Sequence, residues 1–154
     1  MHKYTRAAPR EVYDKLATKG LYEEANLDKN EIEKITNQAI EDYDFGKTLR
    51  KIKDPSWRVI FNLNYDVLRE LCDALMRFKK QKISNHQGLF AFIMLNFPEL
   101  EFDWNFLDDL RNVRNLNKYK GADVTKDTWK SVEFQIDLYI ATLKKEIEKQ
   151  IKHN

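Results

Sequence analysis

The sequence predicts one all-α domain, an up-down antiparallel bundle of about five or six helices. Three observations carry this prediction. Apolar residues recur at steps of three and four along nearly the whole chain, no stretch shows a convincing strand pattern, and the connections between periodic segments are short. The 154 residues, 42% of them hydrophobic and 34% charged, are enough for one domain with its own core.

The first two helices are marked by their ends. A short helix is predicted from Pro9, which suits a first helical turn, to Gly20, which suits a helix end. A longer helix is predicted over 28–45, with Asp28 as its N-cap and Glu31 three residues on. Its apolar face consists of Ile32, Ile35, Ala39, Ile40 and Tyr43.

The third helix has the strongest pattern and is predicted to be central. Asp54 is expected as its cap, with Pro55 in the first turn. A broad stripe then follows, made of Ile60, Leu63, Val67, Leu68, Leu71, Cys72, Leu75, Met76 and Phe78. Cys72, the only cysteine, is predicted to be a reduced thiol in this core, and Asn64 a core amide.

Three more helices complete the bundle. Ser84 and Gln87 stand at capping-box spacing before a segment that is apolar nearly all round, which predicts burial on most sides. The next helix covers 103–119, and the last runs over 125–152 with apolar residues for about seven turns. Within the fifth helix, the adjacent carboxylates of Asp108 and Asp109 are expected to be solvated surface.

The stretch LRNVRNLNKYKG, residues 110–121, does not fit a plain solvated helix. Arg111 follows Asp108 by three residues and is expected to pair with it. Arg114 lies where the apolar stripe would continue, and no acidic residue is close to it along the chain. A guanidinium at the edge of a core needs a partner from another helix, another subunit or a ligand. A purely structural clamp remains an open alternative.

The spacing Arg111-x-x-Arg114-Asn115-x-x-x-Tyr119-x-Gly121 resembles the signature of HEPN domains (higher eukaryotes and prokaryotes nucleotide-binding), in particular prokaryotic stand-alone HEPN proteins. The order of the helices around it agrees over roughly residues 28–152, which leaves 1–27 as an N-terminal helical extension. The resemblance implies a helical bundle that dimerises through its signature helices. It also implies a role in binding RNA, a nucleotide or a partner nucleotidyltransferase.

Catalytic HEPN proteins have a histidine after an arginine, with four to six residues between them, and this sequence has none there. The corresponding positions hold Leu116, Asn117, Lys118, Tyr119, Lys120 and Gly121. A tyrosine, with a reference pKa near 10, replaces such a histidine poorly. We therefore expect Arg111, Arg114, Asn115 and Tyr119 to bind a ligand without efficient cleavage. A metal-independent ribonuclease toxin of a toxin–antitoxin pair remains the rival, so whether the protein is an enzyme stays open.

The remaining expectations concern location, cofactors and partners. No apolar run approaches the roughly 20 residues that cross a bilayer, and no secretory leader is apparent, so a cytoplasmic protein is expected. His2, His86 and His153 are too scattered for a metal site, and no glycine-rich phosphate loop is present. No cofactor is expected. The predicted partners are a second copy of the chain, RNA and a nucleotidyltransferase-type antitoxin.

Overall fold

A computed structural model describes residues 5–153 of the chain and shows an all-helical bundle, as predicted. Residues 1–4, which belong to the predicted N-terminal extension and include His2, and residue 154 lie outside the described part. Six α-helices are described: α1 Pro9–Thr18, α2 Lys29–Leu49, α3 Trp57–Arg77, α4 His86–Asn96, α5 Trp104–Tyr119 and α6 Lys126–His153. A single 3-10 turn, Pro98–Leu100, connects α4 to α5.

Helix α3 lies at the centre of the bundle and contacts α2, α4, α5 and α6. Residues on nearly every side of its middle turns are buried, because its apolar surface is wide. This explains its central position. Tyr65, Leu68, Leu71, Cys72 and Leu75 are all fully inaccessible to solvent. Cys72 is a free thiol in this core, as predicted, and burial raises its pKa.

Three predicted helix ends are confirmed, including that at Gly20, which has a φ of 70° and follows the end of α1, and two predicted N-caps are wrong. Asp28 accepts hydrogen bonds from the first amides of α2, and Gly121, with φ of 69°, follows the end of α5. Helix α3 begins at Trp57 rather than at Pro55, because Ser56 caps it. Asn85, and not Ser84, caps α4, since its side-chain oxygen accepts the N–H of Gly88.

A small strand pair was not predicted from the sequence. Strand β1, Glu23–Glu24, pairs antiparallel with β2, Gln81–Lys82. Two residues per strand are too few to create an alternating pattern, so their pairing depends on how the helices around them pack. Helix α1 packs on α4, and its Val12 and Leu16 are buried in the same core as α3.

A polar network ties α2, α3 and α6 together. The guanidinium of Arg50 donates two hydrogen bonds of 2.9 Å to the carboxylate of Asp137 and one of 2.9 Å to the amide oxygen of Asn64. Asn64 also donates to the carbonyl of Ile60, so it is a satisfied core amide, as predicted. Because Arg50 is committed to this network, it is a structural cation.

A pair of buried amides fixes α5 against α3. Asn62 and Asn117 exchange hydrogen bonds of 2.8 and 3.0 Å, and Asn117 also donates to the carbonyl of Val113. Buried amides with satisfied partners specify one relative position of two helices. This pair therefore sets the position of the half of α5 that carries Arg111, Arg114 and Asn115.

Candidate functional site

A polar cleft of about 250 Å³ lies between the N-terminus of α4 and the C-terminal half of α5. It is lined by Ser84, Asn85, His86, Gln87, Arg111, Arg114, Asn115 and Tyr119. The four residues predicted from the sequence, all on α5, therefore lie together in one cleft. The other four come from a helix end that the sequence motif does not include.

The two helices are held in this arrangement by local chemistry. The side chain of Asn85 accepts the N–H of Gly88 at 2.8 Å, and its carbonyl accepts the N–H of Leu89, so α4 starts here. Gln87 then donates to the Asp108 carboxylate at 3.3 Å across to α5. The backbone N–H groups of His86 and Gln87, in the first turn, have no acceptor within the helix.

Arg111 is held by a buried carboxylate. Its Nε and one terminal nitrogen donate to the same oxygen of Asp108 at 3.1 and 3.0 Å. The Asp108 side chain is 1% exposed, so the expectation that it is solvated surface is wrong, although Asp109 beside it is 63% exposed. Arg6 approaches the second oxygen of Asp108 at 3.4 Å. The charge of Arg111 is thus largely compensated within the protein.

Arg114 has no such partner. Among residues 5–153 it forms no ion pair, and its Nε is buried without a hydrogen-bond acceptor. Its guanidinium lies 5.8 Å from the ring centre of Tyr65 and 5.6 Å from that of Tyr119, and donates a long hydrogen bond of 3.3 Å to the Tyr119 hydroxyl. Arg114 is therefore the cation of this cleft whose charge the described protein leaves uncompensated.

Three residues that follow Arg114 on α5 present aromatic, apolar and polar groups. The ring of Tyr119 is 71% exposed, and the preceding turn carries Leu116, which is 53% exposed. The side-chain amide of Asn115 is partly buried and makes no hydrogen bond with any described residue. An amide can both donate and accept, and an exposed aromatic ring offers a flat apolar face.

The sequence predicts no metal-binding role for His86, and the structure places this residue in the cleft. Its Nδ1 lies 3.0 Å from the hydroxyl of Tyr65, which is fully buried on α3. Burial and then the nearby positive charges of Arg69, Arg114 and Arg111 lower the pKa of His86 to about 4. At neutral pH the imidazole is uncharged.

The Tyr65 hydrogen bond assigns the tautomer of His86. Burial raises the pKa of Tyr65, so its phenol keeps its proton. His86 is the one hydrogen-bond partner of that hydroxyl among the described residues, and a buried donor left unsatisfied is costly. The phenol therefore donates to Nδ1, which places the proton of the neutral imidazole on Nε2. In this tautomer Nε2 is a hydrogen-bond donor and not a proton acceptor.

His86, Gln87 and Tyr65 were missed as site residues for one reason. They are 24 or more positions away from Arg111 along the chain, and contact between α4 and α5 exists only in the folded bundle. The one available signal was the position of His86 in the first turn of a helix, where free backbone N–H groups favour anions.

Larger grooves occur elsewhere, but their linings have mixed charge. A groove of about 510 Å³ between α2 and α6 contains two glutamates and two lysines, and one of about 720 Å³ beside the strand pair likewise contains two of each. Of the five described cavities, only those around Arg50 and around Arg114 have more basic than acidic lining residues. The Arg50 cavity includes Asp54, whereas no carboxylate lines the Arg114 cleft.

The described residues contain no group of three or more His, Cys, Asp or Glu side chains placed to hold a metal ion. No helix within residues 5–153 combines the length and the apolar composition that a bilayer-spanning segment requires.

Comparisons with protein-family models, with curated proteins and with solved structures gave no match to this chain.

Proposed function

We propose that this protein is a HEPN-like RNA-binding protein that holds a phosphate of single-stranded RNA in the cleft between α4 and α5. The observation that carries the proposal is the uncompensated guanidinium of Arg114 in a cleft without carboxylates. A planar guanidinium presents a fork of donors that matches phosphate oxygens, and it binds them as a charge-assisted pair.

The neighbours of Arg114 favour RNA over a bare anion. Tyr119, at 71% exposed, offers a ring on which a base can stack beside the phosphate. The free amide of Asn115 offers a donor and an acceptor for a sugar hydroxyl or a base edge. Single-stranded RNA is recognised through this combination of stacking, polar contacts and backbone charge.

Cleavage is expected to be inefficient because of the His86 tautomer. General-base catalysis at the 2′-hydroxyl requires a nitrogen with a free lone pair facing the substrate. The Tyr65 hydroxyl occupies Nδ1, and Nε2 already carries its proton. In this state His86 donates a hydrogen bond to the ligand but does not accept a proton from it.

The resemblance to HEPN domains supports a homodimer formed through α5. Leu116 and Tyr119 are exposed apolar or aromatic side chains on that helix, next to the cleft. A second copy packed here would enclose both clefts and cover Leu116. The nucleotidyltransferase partner and the cytoplasmic location remain parts of the same proposal.

A second candidate is a metal-independent ribonuclease, and the location of His86 favours it. The histidine that the sequence motif lacks is supplied to the same cleft from α4. Release of the Tyr65 hydrogen bond on substrate binding would free the imidazole to exchange tautomers. Wild-type cleavage of RNA that is lost in both His86→Ala and Arg114→Ala would establish this candidate and contradict the one above.

The test measures binding and cleavage of a mixed-sequence single-stranded RNA by wild type, Arg114→Ala and Asn115→Ala. We expect Arg114→Ala to weaken binding about tenfold or more, because a hydrogen bond to a charged group contributes about 1.5–3 kcal/mol. Arg10→Ala is the matched control, since Arg10 is an exposed arginine on α1 that does not line the cleft. Folded variants that all bind as wild type does would contradict the proposal, and variants that fail to fold would indicate a structural clamp.

A further inference from the structure

The arrangement of donors in the cleft points to the kind of phosphate that it takes. We propose that the cleft binds a terminal phosphomonoester, the phosphorylated end of an RNA or of a nucleotide, and that His86 gains a proton at Nδ1 in the complex, where the Tyr65 hydroxyl turns from donor to acceptor. This inference rests on the proposed phosphate-binding role of the cleft. It specifies that the bound phosphate is a terminal phosphomonoester and that His86 is the residue that titrates.

The set of donors around the cleft suits a phosphate with three free oxygens. The cleft is lined by Arg114, Asn115, His86 and Ser84, whose side chains carry a guanidinium, an amide, an imidazole N–H and a hydroxyl. The first two backbone N–H groups of α4 add two more donors without an intrahelical acceptor. An internal phosphodiester has two unesterified oxygens, whereas a phosphomonoester presents three strong acceptor oxygens.

The size and surroundings of the cleft favour the end of a chain. Its volume of about 250 Å³ lies below the roughly 300–1,000 Å³ of pockets that enclose drug-sized ligands. The groove between α2 and α3 that Lys118 of α5 reaches is lined by three acidic residues, Asp42, Asp66 and Glu70, and by the two basic residues Arg58 and Lys118. The excess of negative charge disfavours a continuing phosphate backbone in that groove, so it offers no second phosphate subsite.

The charges explain why a proton is taken up. Arg111 and Arg6 share Asp108, and Arg6 also pairs with Asp109, so those charges are largely compensated. Arg114 and the helix end then face a ligand with a charge near −2. The groups that face His86 are Tyr65 and Arg69 of α3 and Arg111 and Arg114 of α5. None of these groups is a carboxylate, so the added negative charge must come from the ligand.

Proton uptake gives the affinity a characteristic pH profile. The free imidazole is neutral above about pH 4, and a phosphomonoester loses its second proton near pH 6. If the complex holds one proton, affinity rises as the pH falls from 8 to 6 and levels off below 6, where the free ligand already carries that proton. A proton bound by the phosphate alone gives the same profile, so a His86 variant must separate the two.

The experiment compares three forms of one short RNA, with a 5′-phosphate, with a 3′-phosphate and with hydroxyl groups at both ends. A nucleoside 5′-monophosphate and inorganic phosphate are tested alongside. Affinities are measured at pH 6, 7 and 8 for wild type, His86→Gln and Arg114→Ala. Glutamine keeps an amide donor but cannot take up a proton, and circular dichroism checks folding.

We expect one phosphorylated RNA to bind wild type at least about tenfold more tightly than the hydroxyl form, with affinity rising from pH 8 to pH 6. His86→Gln should remove most of that rise.

If hydroxyl-ended RNA binds equally well and still requires Arg114, the terminal-phosphate inference is wrong and the proposed RNA binding stands. If nucleoside monophosphate binds through Arg114 and His86 but RNA does not, the proposed RNA binding is wrong and the inference stands. If His86→Gln keeps the pH dependence of the affinity, the role of His86 is contradicted. If that variant does not fold, a wild-type affinity that does not change between pH 8 and pH 6 contradicts that role instead.

Discussion

Arg111 and Arg114 lie one turn apart on α5 and line the same cleft, but we expect their replacement by alanine to affect folding very differently. Arg111→Ala removes two hydrogen bonds that one oxygen of Asp108 accepts, and the Asp108 side chain is 1% exposed. Arg114→Ala removes no partner from any carboxylate among residues 5–153. The comparison therefore separates the arginine that stabilises the fold from the arginine that is available to a ligand.

The magnitudes follow from these contacts. Breaking a buried ion pair by removing one member costs about 3–5 kcal/mol. Arg6 remains 3.4 Å from Asp108, and the Arg111 side chain is 19% exposed, so we expect about 2–4 kcal/mol for Arg111→Ala. Arg114→Ala loses a contact with the exposed ring of Tyr119, worth about 0.5–1 kcal/mol, and one with the buried ring of Tyr65, worth up to about 2 kcal/mol. It also removes a buried Nε that has no acceptor, which offsets part of this loss, so its net cost should stay under about 2 kcal/mol.

Urea unfolding at pH 7, followed by circular dichroism, measures both values. The double variant Arg111→Ala with Asp108→Asn is the control, because removing both charges should cost less than the sum of the single changes. Equal losses for the two arginines would refute the assignment. A larger loss of stability for Arg114→Ala than for Arg111→Ala would mean that Arg114 is the structural clamp and is not available to a ligand.

Three further predictions concern the core, the histidine and the dimer. Leu71→Ala should cost about 2–5 kcal/mol in urea melts, since Leu71 is fully buried at the centre of α3. The pKa of His86 is lowered by folding from 6.5 to about 4, so the unfolded chain takes up its proton first and stability falls as the pH drops from 6.5 toward 4. Because the ring is partly exposed, the effect of the pKa shift on stability is reduced. Wild type should lose about 1–2 kcal/mol more free energy of unfolding than His86→Gln when melts at pH 7 and pH 4.5 are compared, and equal losses would contradict the shift. Sedimentation should report about twice the 18.5 kDa chain mass, reduced to one chain by Leu116→Glu and unchanged by Phe134→Glu, which changes a still more exposed apolar residue on α6; a monomeric wild type would contradict the dimer.

The fold could be predicted from the sequence because its determinants are periodic. The stripe on α3 and the long pattern of α6 each repeat over several turns, so they predict helices and their buried faces without knowledge of neighbours. Helix starts were less secure, since Asp54, Ser56, Ser84 and Asn85 all suit an N-cap and only local backbone geometry decides between them.

The site could be predicted only in the half that lies on one helix. Arg111, Arg114, Asn115 and Tyr119 share α5, and their spacing alone places them near one another. The burial of Asp108 was missed, because whether a carboxylate faces a core depends on Arg6 and Gln87 from other parts of the chain. The contribution of His86 likewise depends on the packing of α4 against α5, which no local pattern encodes.

The central claim, that the cleft between α4 and α5 holds the phosphate of an RNA ligand, is tested most directly by NMR titration. Short single-stranded RNA is added to isotope-labelled protein, and the shifts of the Arg114 Nε–H, the Asn115 side-chain amide and the backbone amides of His86 and Gln87 are followed. We expect these signals to move first and together and to saturate with one affinity. Shifts confined to the other basic cavity, around Arg50, Lys126 and Lys130, with the four cleft signals unchanged, would contradict it.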